Sequence, residues 1–406
     1  MPVRVSVLIS DGRVNGEIQN TRMPSHPRRW SLHTISHMKR GVLLLLAAIC
    51  VVPALTAEDY LVYFGTYTGP KSKGIYVSTF DTNTGKLSPA QLAGETVNPS
   101  WVAIHPSGRF LYSVSELGKD GILTSFAIDK STGKLTELNK VSTDGRMACH
   151  LAIDKSGQTI YVANYGDGSV AGFRLSADGK LGERTAFIRH EGSGPDTRRQ
   201  RGPHAHAVVL SPDGKFLVVP DLGTDQYFVY RTGKDGGLTP SDPAFAKVAG
   251  GLGPRHFAFH PGGKYGFGLN EMGSRVTAFG YRDGVLQERQ TISTIPSDLK
   301  TENNSAEIEV DQAGRFVYAS NRGDDSIAVF VIDAAKGTLT NVQRVPTQGK
   351  NPRNFKLAPG GKYLLAANQN SDSVVAFSRD AKSGKLTPAG QVLDVPSPVC
   401  IQFVRK

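Results

Sequence analysis

Cysteine is scarce in this chain, with 3 residues among 406. Two of them, Cys149 and Cys400, lie beyond the apolar N-terminal segment. Neither belongs to a CxxC pair or to a Cys/His spacing that would hold a metal ion. The sequence therefore predicts neither a disulfide-stapled fold nor a cysteine-ligated metal centre, and we expect both thiols to be free and buried.

Several signature motifs of enzymes are also missing. The chain contains no GxSxG, no HExxH and no P-loop sequence. Their absence disfavours a hydrolase with a nucleophile elbow, a zinc protease of the HExxH type and a P-loop nucleotide-binding protein. A catalytic site must therefore be sought among residues that are distant in the sequence and meet in the fold.

A concentrated basic surface is lacking as well. The formal net charge is +11, but residues 1–57 hold seven Lys or Arg and two Asp or Glu, which leaves 40 against 34, or +6, for the rest. The densest basic run, 198–201, is typical of a solvated loop. A mild, dispersed excess suits a small anionic substrate. No nucleic-acid partner is expected, because such a partner needs a clustered basic stripe.

The apolar run near the N-terminus is too short to span a membrane. Residues 41–52 are apolar and follow the basic pair Lys39 and Arg40, whereas a spanning helix needs ~20 apolar residues. A small residue, Ala57, precedes Glu58, as at a signal-peptidase site. This order of segments predicts a secretory signal peptide.

The chain is therefore expected to have three parts. Residues 1–37 are interpreted as a non-native extension before an internal start at Met38, 38–57 as the signal peptide, and 58–406 as one folded domain. If the signal is used, the protein is periplasmic or secreted and has no membrane contact beyond the signal. Without it, the protein is cytoplasmic.

A repeat of about 50 residues runs through the rest of the chain. Its mark is a turn pair, followed by a Gly-containing turn and an aromatic or aliphatic strand. The turn pairs are His105-Pro106, Asp154-Lys155, Ser211-Pro212, His260-Pro261, Asp311-Gln312 and Ala358-Pro359. Successive pairs are 49, 57, 49, 51 and 47 residues apart. Period-two apolar runs between such turns indicate antiparallel strands, and a four-stranded unit of this length is typical of a propeller blade.

Six complete units are visible, and the two ends of the chain supply a seventh. Residues 397–403 match only the first strand of a unit, whereas 60–65, 74–80 and 87–92 match the second, third and fourth strands. Joining them closes the ring and removes exposed sheet edges. The sequence predicts an all-β fold, a seven-bladed β-propeller of four-stranded antiparallel blades, with one blade closed by joining N- and C-terminal strands.

Two positions in each unit are expected at one mouth of the central channel: the start of the first strand and the end of the second. The first strand of each blade lines the channel, and the second strand ends at the same end of the hairpin at which the first strand begins. Charged and imidazole side chains gather at these positions: His150, His204, His206, Arg255, His256, Glu271, Glu307, Arg322 and Arg353. An Asn, Asp or Ser recurs after the second strand in most units. This recurrence favours a structural role in turns, in which the side chain hydrogen-bonds nearby backbone, over catalysis. A repeat with only a structural role would not need different residue types, such as Arg, Glu and His, at equivalent positions that face one cavity. We therefore predict a functional role for Arg255, Glu271 and His206.

These side chains suit ester or lactone hydrolysis without a metal. Arginine binds phosphate or carboxylate through its planar fork and stabilises an oxyanion, and a carboxylate or histidine positions water or shuttles a proton. A metal-dependent propeller would use several carboxylate or Asn ligands, and Glu116, Glu271 and Glu307 leave that alternative open. We expect no metal and no cofactor.

Several long stretches resemble one family. GPHAHAVVLSPDGKFLVVPDLGTDQ, GPRHFAFHP, NNSAEIEVDQAGRFVYASNRGDDSIAVF and NPRNFKLAPGGKYLLAANQNSDSVVAF are similar to the seven-bladed lactonase propellers. That family includes bacterial 6-phosphogluconolactonases of the cycloisomerase-2 type and the fungal carboxy-cis,cis-muconate cyclase. The resemblance covers 58–406 and implies a metal-independent site that handles a lactone.

The resemblance also implies roles for single residues. A His, two Arg and a Glu are proposed as catalytic in the cyclase branch. By motif, these correspond to His206, Arg255, Glu271 and Arg322. His204 competes with His206 for the first role, and Arg353 competes with Arg322. The residues expected to bind substrate are His150, His204, His256, Glu307 and Arg353.

The expected activity is hydrolysis of a sugar lactone, nominally 6-phosphogluconolactonase, and the expected partner is that small molecule, with or without its phosphate. Two alternatives stay open: a lactonising cycloisomerase of the muconate type, and a non-enzymatic propeller that binds a protein or carbohydrate. Scaffolding of the WD40 type is disfavoured, because the Trp-Asp signature is missing. The phosphorylated lactone is a cytoplasmic metabolite, so export would favour a sugar lactone outside the cytoplasm.

Overall fold

The computed structural model describes residues 59–406. The strands of this range are, in chain order, β1 (Asp59–Thr66), β2 (Gly74–Asp81), β3 (Gln91–Glu95), β4 (Val102–Ile104), β5 (Phe110–Ser115), β6 (Ile122–Ile128), β7 (Leu135–Ser142), β8 (Ala148–Ile153), β9 (Thr159–Asn164), β10 (Ser169–Leu175), β11 (Leu181–Arg189), β12 (Val209–Leu210), β13 (Phe216–Asp221), β14 (Gln226–Thr232), β15 (Leu238–Lys247), β16 (Pro254–Phe259), β17 (Tyr265–Asn270), β18 (Arg275–Arg282), β19 (Val285–Ser293), β20 (Ser305–Val310), β21 (Phe316–Asn321), β22 (Ser326–Ile332), β23 (Leu339–Pro346), β24 (Pro352–Leu357), β25 (Tyr363–Asn368), β26 (Ser373–Arg379), β27 (Leu386–Asp394) and β28 (Pro398–Arg405).

Helices in this range are limited to two single-turn 3₁₀ segments, Pro359–Gly361 and Gln369–Ser371. No helix within 59–406 has the length and apolar character needed to cross a membrane. The predicted extension at 1–37 and the predicted signal peptide at 38–57 lie outside the described residues.

The strands form seven sheets of four antiparallel strands each. Six sheets follow chain order: β4 to β7, β8 to β11, β12 to β15, β16 to β19, β20 to β23 and β24 to β27. The seventh has the order β28-β1-β2-β3. The predicted seven-bladed propeller and its joined blade are therefore confirmed.

The joined blade closes the ring through main-chain hydrogen bonds between the two ends of the domain. Strand β28 runs antiparallel to β1, with Tyr60 opposite Arg405 and Phe64 opposite Ile401. A strand that would otherwise present unpaired N–H and C=O groups is thus paired on both sides.

The fourth strand of the joined blade begins later than predicted. It starts at Gln91 rather than at 87, and Leu87 makes only an isolated bridge to Phe80. At the intervening Ser88 the side-chain hydroxyl accepts the Thr79 N–H, at 2.9 Å, in place of a main-chain carbonyl oxygen, so regular pairing begins only beyond this residue.

Burial within a blade falls from the inner strands to the outer one. Strands β5, β9, β13, β17 and β21 are buried at every position. Each such strand lies between two neighbouring blades, so both of its faces are covered and its sequence is apolar without alternation. The outer strands, such as β19, keep exposed positions.

Tyrosines of the second strands tie successive blades together. The hydroxyls of Tyr112 and Tyr318 donate to the carbonyl oxygens of Gly179 and Gly384, each at 2.8 Å, in the outer turn of the next blade. Gly179 has a φ of 85°, and a Cβ there would lie 2.4 Å from the ring of Phe110. Glycine is thus required both for backbone conformation and for close packing.

Buried Asn side chains after the second strands make a second set of contacts between blades. The Asn321 Oδ1 accepts hydrogen bonds from the hydroxyls of Thr294 at 2.7 Å and Ser305 at 2.9 Å. Its amide donates to the Thr294 carbonyl oxygen at 3.1 Å. Thr294 follows the outer strand of the preceding blade, so this Asn fixes one blade against the next. The role is structural, as predicted, but it consists of contacts between blades rather than of turn chemistry.

Replacing this Asn is expected to destabilise the fold. Asn321→Ala removes the acceptor that Thr294 and Ser305 share and the donor to the Thr294 carbonyl oxygen. Each buried polar group left unpaired costs roughly 1–3 kcal/mol. We expect the urea midpoint to fall by the equivalent of at least ~2 kcal/mol. The matched control is Asn341→Ala, on the exposed outer strand of the same blade, which should change stability by less than ~0.5 kcal/mol. Equal losses in the two variants would contradict the assignment.

Candidate active site

First strands begin with a β-bulge at one mouth of the channel. In β16 the pairing register shifts between Pro254 and His256, so Arg255 is the extra residue. Such a residue is left unpaired, and its side chain is re-aimed. Consequently Arg255 and His256, although adjacent, both reach the first strand of the next blade. Strands β8 and β24 carry the same irregularity at Cys149 and Arg353.

Glu271 faces Arg255 across the same hairpin. It directly follows β17, and its N–H donates to the carbonyl oxygen of Gly253 at 2.7 Å, which closes the end of the hairpin. The Glu271 Oε2 lies 3.1 Å from the Arg255 Nε, without hydrogen-bond alignment. The hairpin therefore places a buried carboxylate against a buried guanidinium, as the sequence predicted.

Two further arginines contact the same carboxylate. The Arg322 Nη2 lies 2.9 Å from the Glu271 Oε2, and the Arg199 Nη2 donates to the Oε1 at 2.7 Å. Burial raises the pKa of the Glu271 carboxyl, but Arg322, Arg255 and Arg199 outweigh it and hold that pKa well below its usual range. Glu271 is therefore ionised at any physiological pH.

His206 lies beside this cluster. Its Nε2 is 3.8 Å from the Glu271 Oε2, and its Nδ1 is 3.9 Å from the Cys149 Sγ. Burial and the positive charge of Arg255 lower the pKa of the imidazole well below its ordinary value, against the opposing effect of Glu271. His206 is therefore uncharged at neutral pH and can accept a proton.

Arg353 belongs to a second polar group at the mouth. Its Nη2 donates to the Tyr67 hydroxyl at 3.0 Å, and that hydroxyl donates to the Glu116 Oε2 at 2.7 Å. Burial raises the pKa of the Tyr67 hydroxyl against the lowering effect of Arg353. Arg353 thus contacts a neutral phenol, whereas Arg322 contacts the Glu271 carboxylate.

His204 is set back from the carboxylate. Its ring stacks on Tyr165 with the ring centroids 4.5 Å apart, and its Nδ1 donates to the Tyr165 carbonyl oxygen at 2.7 Å. Tyr165 in turn lies edge-on to His206 at 5.2 Å. His206, rather than His204, is the histidine that lies next to Glu271.

The remaining predicted residues form an inner layer below the mouth. The His256 Nδ1 is 2.9 Å from the Glu307 Oε1, and the ring of His150 stacks on Trp101 with the ring centroids 4.0 Å apart. All three predicted residues, His150, His256 and Glu307, are buried. Burial raises the pKa of Glu307 to about 7, although Arg255 opposes the shift.

Arg199 was not predicted as a site residue, and the interpretation of 198–201 as a solvated loop is wrong for it. The Asp196 Oδ1 accepts the backbone N–H groups of Arg198 and Arg199 at 2.8 and 2.9 Å, and the Gln200 side chain donates to the Leu222 carbonyl oxygen at 2.8 Å. The loop is thereby anchored, and the Arg199 side chain turns inward. No sequence period covers an insertion, so no repeat position indicated this contact.

Tyr67 was also missed, although a sequence signal existed. It follows β1, which is the second strand of the joined blade, and so occupies the repeat position of Glu116, Tyr165 and Glu271. Applying the same repeat position to the joined blade would have identified Tyr67 as a site residue.

The mouth as a whole is suited to an anionic or oxyanionic ligand. Four guanidinium groups and two carboxylates meet there, which leaves positive charge in excess: Arg199, Arg255, Arg322, Arg353, Glu116 and Glu271. Guanidinium groups bind planar anions with paired donors and stabilise charge that develops on a carbonyl oxygen. In residues 59–406, no three His, Cys, Asp or Glu side chains are grouped as a metal site. Cys149 and Cys400 are free and buried, as predicted.

Known proteins share both the sequence and the fold. A 6-phosphogluconolactonase of Bacillus subtilis is 39% identical over 349 residues, which cover 86% of this chain and 99% of that protein. Another, from Formosa agariphila, is 36% identical over 304 residues, or 73% of this chain and 86% of that protein.

Solved structures give the same result. A putative 6-phosphogluconolactonase of Bacteroides fragilis superposes with a TM-score of 0.82 at 39% identity and covers 87% of this chain and 99% of its own. A periplasmic gluconolactonase of Pseudomonas aeruginosa gives 0.80 at 34% identity and covers 85% and 99%. The family described as lactonase, 7-bladed beta-propeller, matches residues 61–403. The chain therefore belongs to the seven-bladed β-propeller lactonase family.

Proposed function

We propose that this protein hydrolyses a sugar lactone without a metal ion, with 6-phosphoglucono-1,5-lactone as the nominal substrate and 6-phosphogluconate as the product. The observation that carries the proposal is the ionised Glu271, surrounded by three arginines beside the uncharged His206. Relatives named for lactone hydrolysis support the same activity.

The arginines differ in their access to the mouth. The side chains of Arg199 and Arg322 are 39% and 14% exposed, whereas that of Arg255 is 4% exposed. A ligand that enters the mouth therefore meets Arg199 and Arg322 first. In the proposed reaction Arg255 and Arg322 stabilise the oxyanion that develops when water adds to the lactone carbonyl. Arg199 and Arg353 bind other anionic or hydroxyl groups of the substrate.

His206 is the proposed proton carrier. The oxygen of a water molecule bonds to the carbonyl carbon while one of its protons passes to His206. The tetrahedral intermediate then breaks its ring C–O bond, and the imidazolium returns the proton to the leaving alkoxide oxygen. Glu271 keeps its charge throughout and stabilises the imidazolium 3.8 Å away. Three arginines engage the Glu271 oxygens, whereas the neutral His206 has a ring nitrogen free to accept a proton, so this assignment favours His206.

We also infer that the protein is exported and acts on a lactone outside the cytoplasm. Support comes from the basic pair and apolar run at 39–52, and from the relative in Pseudomonas aeruginosa that is described as periplasmic. Relatives are named both for the phosphorylated and for the unphosphorylated lactone. The phosphate is therefore the substrate feature that an assay must test.

Removing either member of the central pair should abolish turnover while the fold survives. Arg255→Ala and Glu271→Gln are each expected to lower kcat/KM by about 10²–10³, because one removes a donor to the oxyanion and the other releases the arginines from their shared anion. The matched control is Arg282→Ala, whose side chain is 92% exposed. Circular dichroism and thermal melting would confirm folding. Unchanged rates in both site variants would exclude this site.

Lactone hydrolysis by the purified protein should persist in the presence of a chelator. We expect ring opening of 6-phosphogluconolactone, gluconolactone or both to exceed the enzyme-free rate, because arginine and histidine side chains supply the catalytic groups. The pair of substrates reveals whether the phosphate is required. Loss of activity with chelator and its return with a divalent ion would contradict the metal-independent mechanism.

Expression of the full chain in a Gram-negative host should yield a processed protein. We expect a mature N-terminus at Glu58 in the periplasmic fraction, measured by N-terminal sequencing or intact mass. Leu44→Arg interrupts the apolar run and should leave an unprocessed precursor in the cytoplasm. An unprocessed cytoplasmic wild-type protein would contradict the inference of export.

A further inference from the structure

Arg255 is held from behind by a main-chain carbonyl oxygen and a buried imidazole. Its Nη1 donates to the Ala306 carbonyl oxygen and lies 3.1 Å from the His256 Nε2. The His256 Nδ1 lies 2.9 Å from the Glu307 Oε1, and the Asn354 amide donates to the Glu307 Oε2 at 2.5 Å. A continuous hydrogen-bonded chain thus runs from the guanidinium to a carboxylate one layer below the mouth.

Donor and acceptor requirements fix the tautomer of His256. A guanidinium can only donate, so the Nε2 that faces Arg255 must accept. The proton of the neutral imidazole therefore lies on Nδ1 and is donated to Glu307. Burial and the charge of Arg255 lower the pKa of His256 well below its ordinary value, which agrees with the neutral form.

We propose that Glu307 and His256 are positioning residues for Arg255, an inference that rests on the proposed lactone hydrolysis and on Arg255 acting in it. Neither side chain touches the substrate. Glu307 holds the Nδ1–H tautomer, and that tautomer presents a lone pair to Arg255. In the other tautomer an N–H would face an N–H, and the guanidinium would lose this contact and move from its place beside Glu271.

Ring packing alone does not account for a histidine at this position. The His256 ring contacts Trp101, His150 and His206 edge-on, with ring centroids 5.3, 5.3 and 5.5 Å away. A phenylalanine could make such contacts without the cost of burying polar groups. What it could not supply is an acceptor for Arg255 and a donor for Glu307.

Glu307 can exchange protons with solvent without passing the mouth. A cavity of about 400 Å³ lies on the far side of the inner layer. Its polar lining consists of Trp101, His150, His256, Glu307, Glu309, Asn354, Lys356 and Gln402. Arg255, Glu271 and Arg322 do not line it. A proton can therefore reach Glu307 from the end of the channel opposite to the mouth at which the substrate is proposed to bind.

The charged groups around Glu307 define the expected pH dependence. Burial raises its pKa to about 7, while Arg255 and Lys356 oppose the shift. Four other titratable groups lie near it: His256, which is bonded to it; Glu309, which is ion-paired with Lys356 at 2.5 Å; His150, which lines the same cavity; and Cys400, whose thiol pKa is raised by burial and by Glu307. Above pH 7 Glu307 is ionised and accepts from His256. As pH falls through 7 it is protonated, the Nδ1–H loses its charged acceptor, and activity should decline.

The first test is His256→Phe, which keeps a ring and removes both nitrogens. We expect kcat to fall by about 10–100-fold, since a small misplacement of a catalytic group has an effect of that order, while KM changes by less than about threefold. A rise in KM with unchanged kcat would overturn the proposal, because it would mean direct substrate contact. Unchanged kcat and KM would overturn it as well.

The second test compares two buried carboxylates. In Glu307→Gln the decline of kcat below pH 7 should disappear. Glu309→Gln, one layer further from Arg255, should keep the rates above pH 7 within about twofold and retain the decline, displaced to lower pH because Lys356 loses its own carboxylate and favours the ionised Glu307. A decline near pH 7 that persists in Glu307→Gln would overturn the proposal, whereas the decline at lower pH that follows from protonation of His206 should remain in both variants. Thermal melting separates loss of activity from loss of fold.

A spectroscopic readout decides the proposal even if the wild-type protein hydrolyses no lactone. Nitrogen-15 NMR of labelled histidines should show His256 as the Nδ1–H tautomer in the wild type, with a shift of that signal in Glu307→Gln and none in Glu309→Gln. The His256→Phe spectrum assigns the resonance. An Nε2–H tautomer would overturn the positioning role independently of any assay, whereas absent hydrolysis with the expected tautomer would refute only the proposed function.

Discussion

The mouth of the propeller depends on one carboxylate shared by three cations. The side chains of Arg199, Arg255 and Arg322 lie 2.7 to 3.1 Å from the oxygens of Glu271. Three guanidinium groups at this separation would repel one another, and the desolvation of buried charges is recovered only by close pairing. Glu271 supplies that pairing, and because it is a single negative charge it leaves positive charge for a ligand. The same constraint keeps Glu271 ionised and His206 neutral, which is why we propose different chemical roles for them.

The ring brings these residues together from separate parts of the chain. Arg255 and Glu271 belong to one hairpin, Arg322 follows the second strand of the next blade, and Arg199 comes from the insertion between β11 and β12. Contacts such as that of Asn321 with Thr294 fix the angle between blades and hence the distance between these groups. The stability of the blade interfaces and the geometry of the mouth are therefore linked.

Polar pairs continue down the channel below the mouth. His256 contacts Glu307 at 2.9 Å, and Lys356 contacts Glu309 at 2.5 Å. Each pair joins the first strands of neighbouring blades, so each buried charge or imidazole has a partner across a blade boundary. The β-bulge at Arg255 connects the two levels, since it lets adjacent residues serve the mouth and the inner layer.

Much of the fold and the centre of the site followed from the sequence by itself. Turn pairs at a regular spacing, and strand fragments at both ends, determined seven blades and their closure, because a repeat that buries both faces against its neighbours leaves a strong periodic pattern. The hairpin positions of Arg255 and Glu271 followed from the same period. Only the tertiary structure decided which His and Arg join them, because a repeat indicates at which end of a strand a residue lies but not where its side chain points. It placed His206 and Arg322 on Glu271, moved His256 and Glu307 behind Arg255 through a bulge, and brought in Arg199 from an insertion without a period.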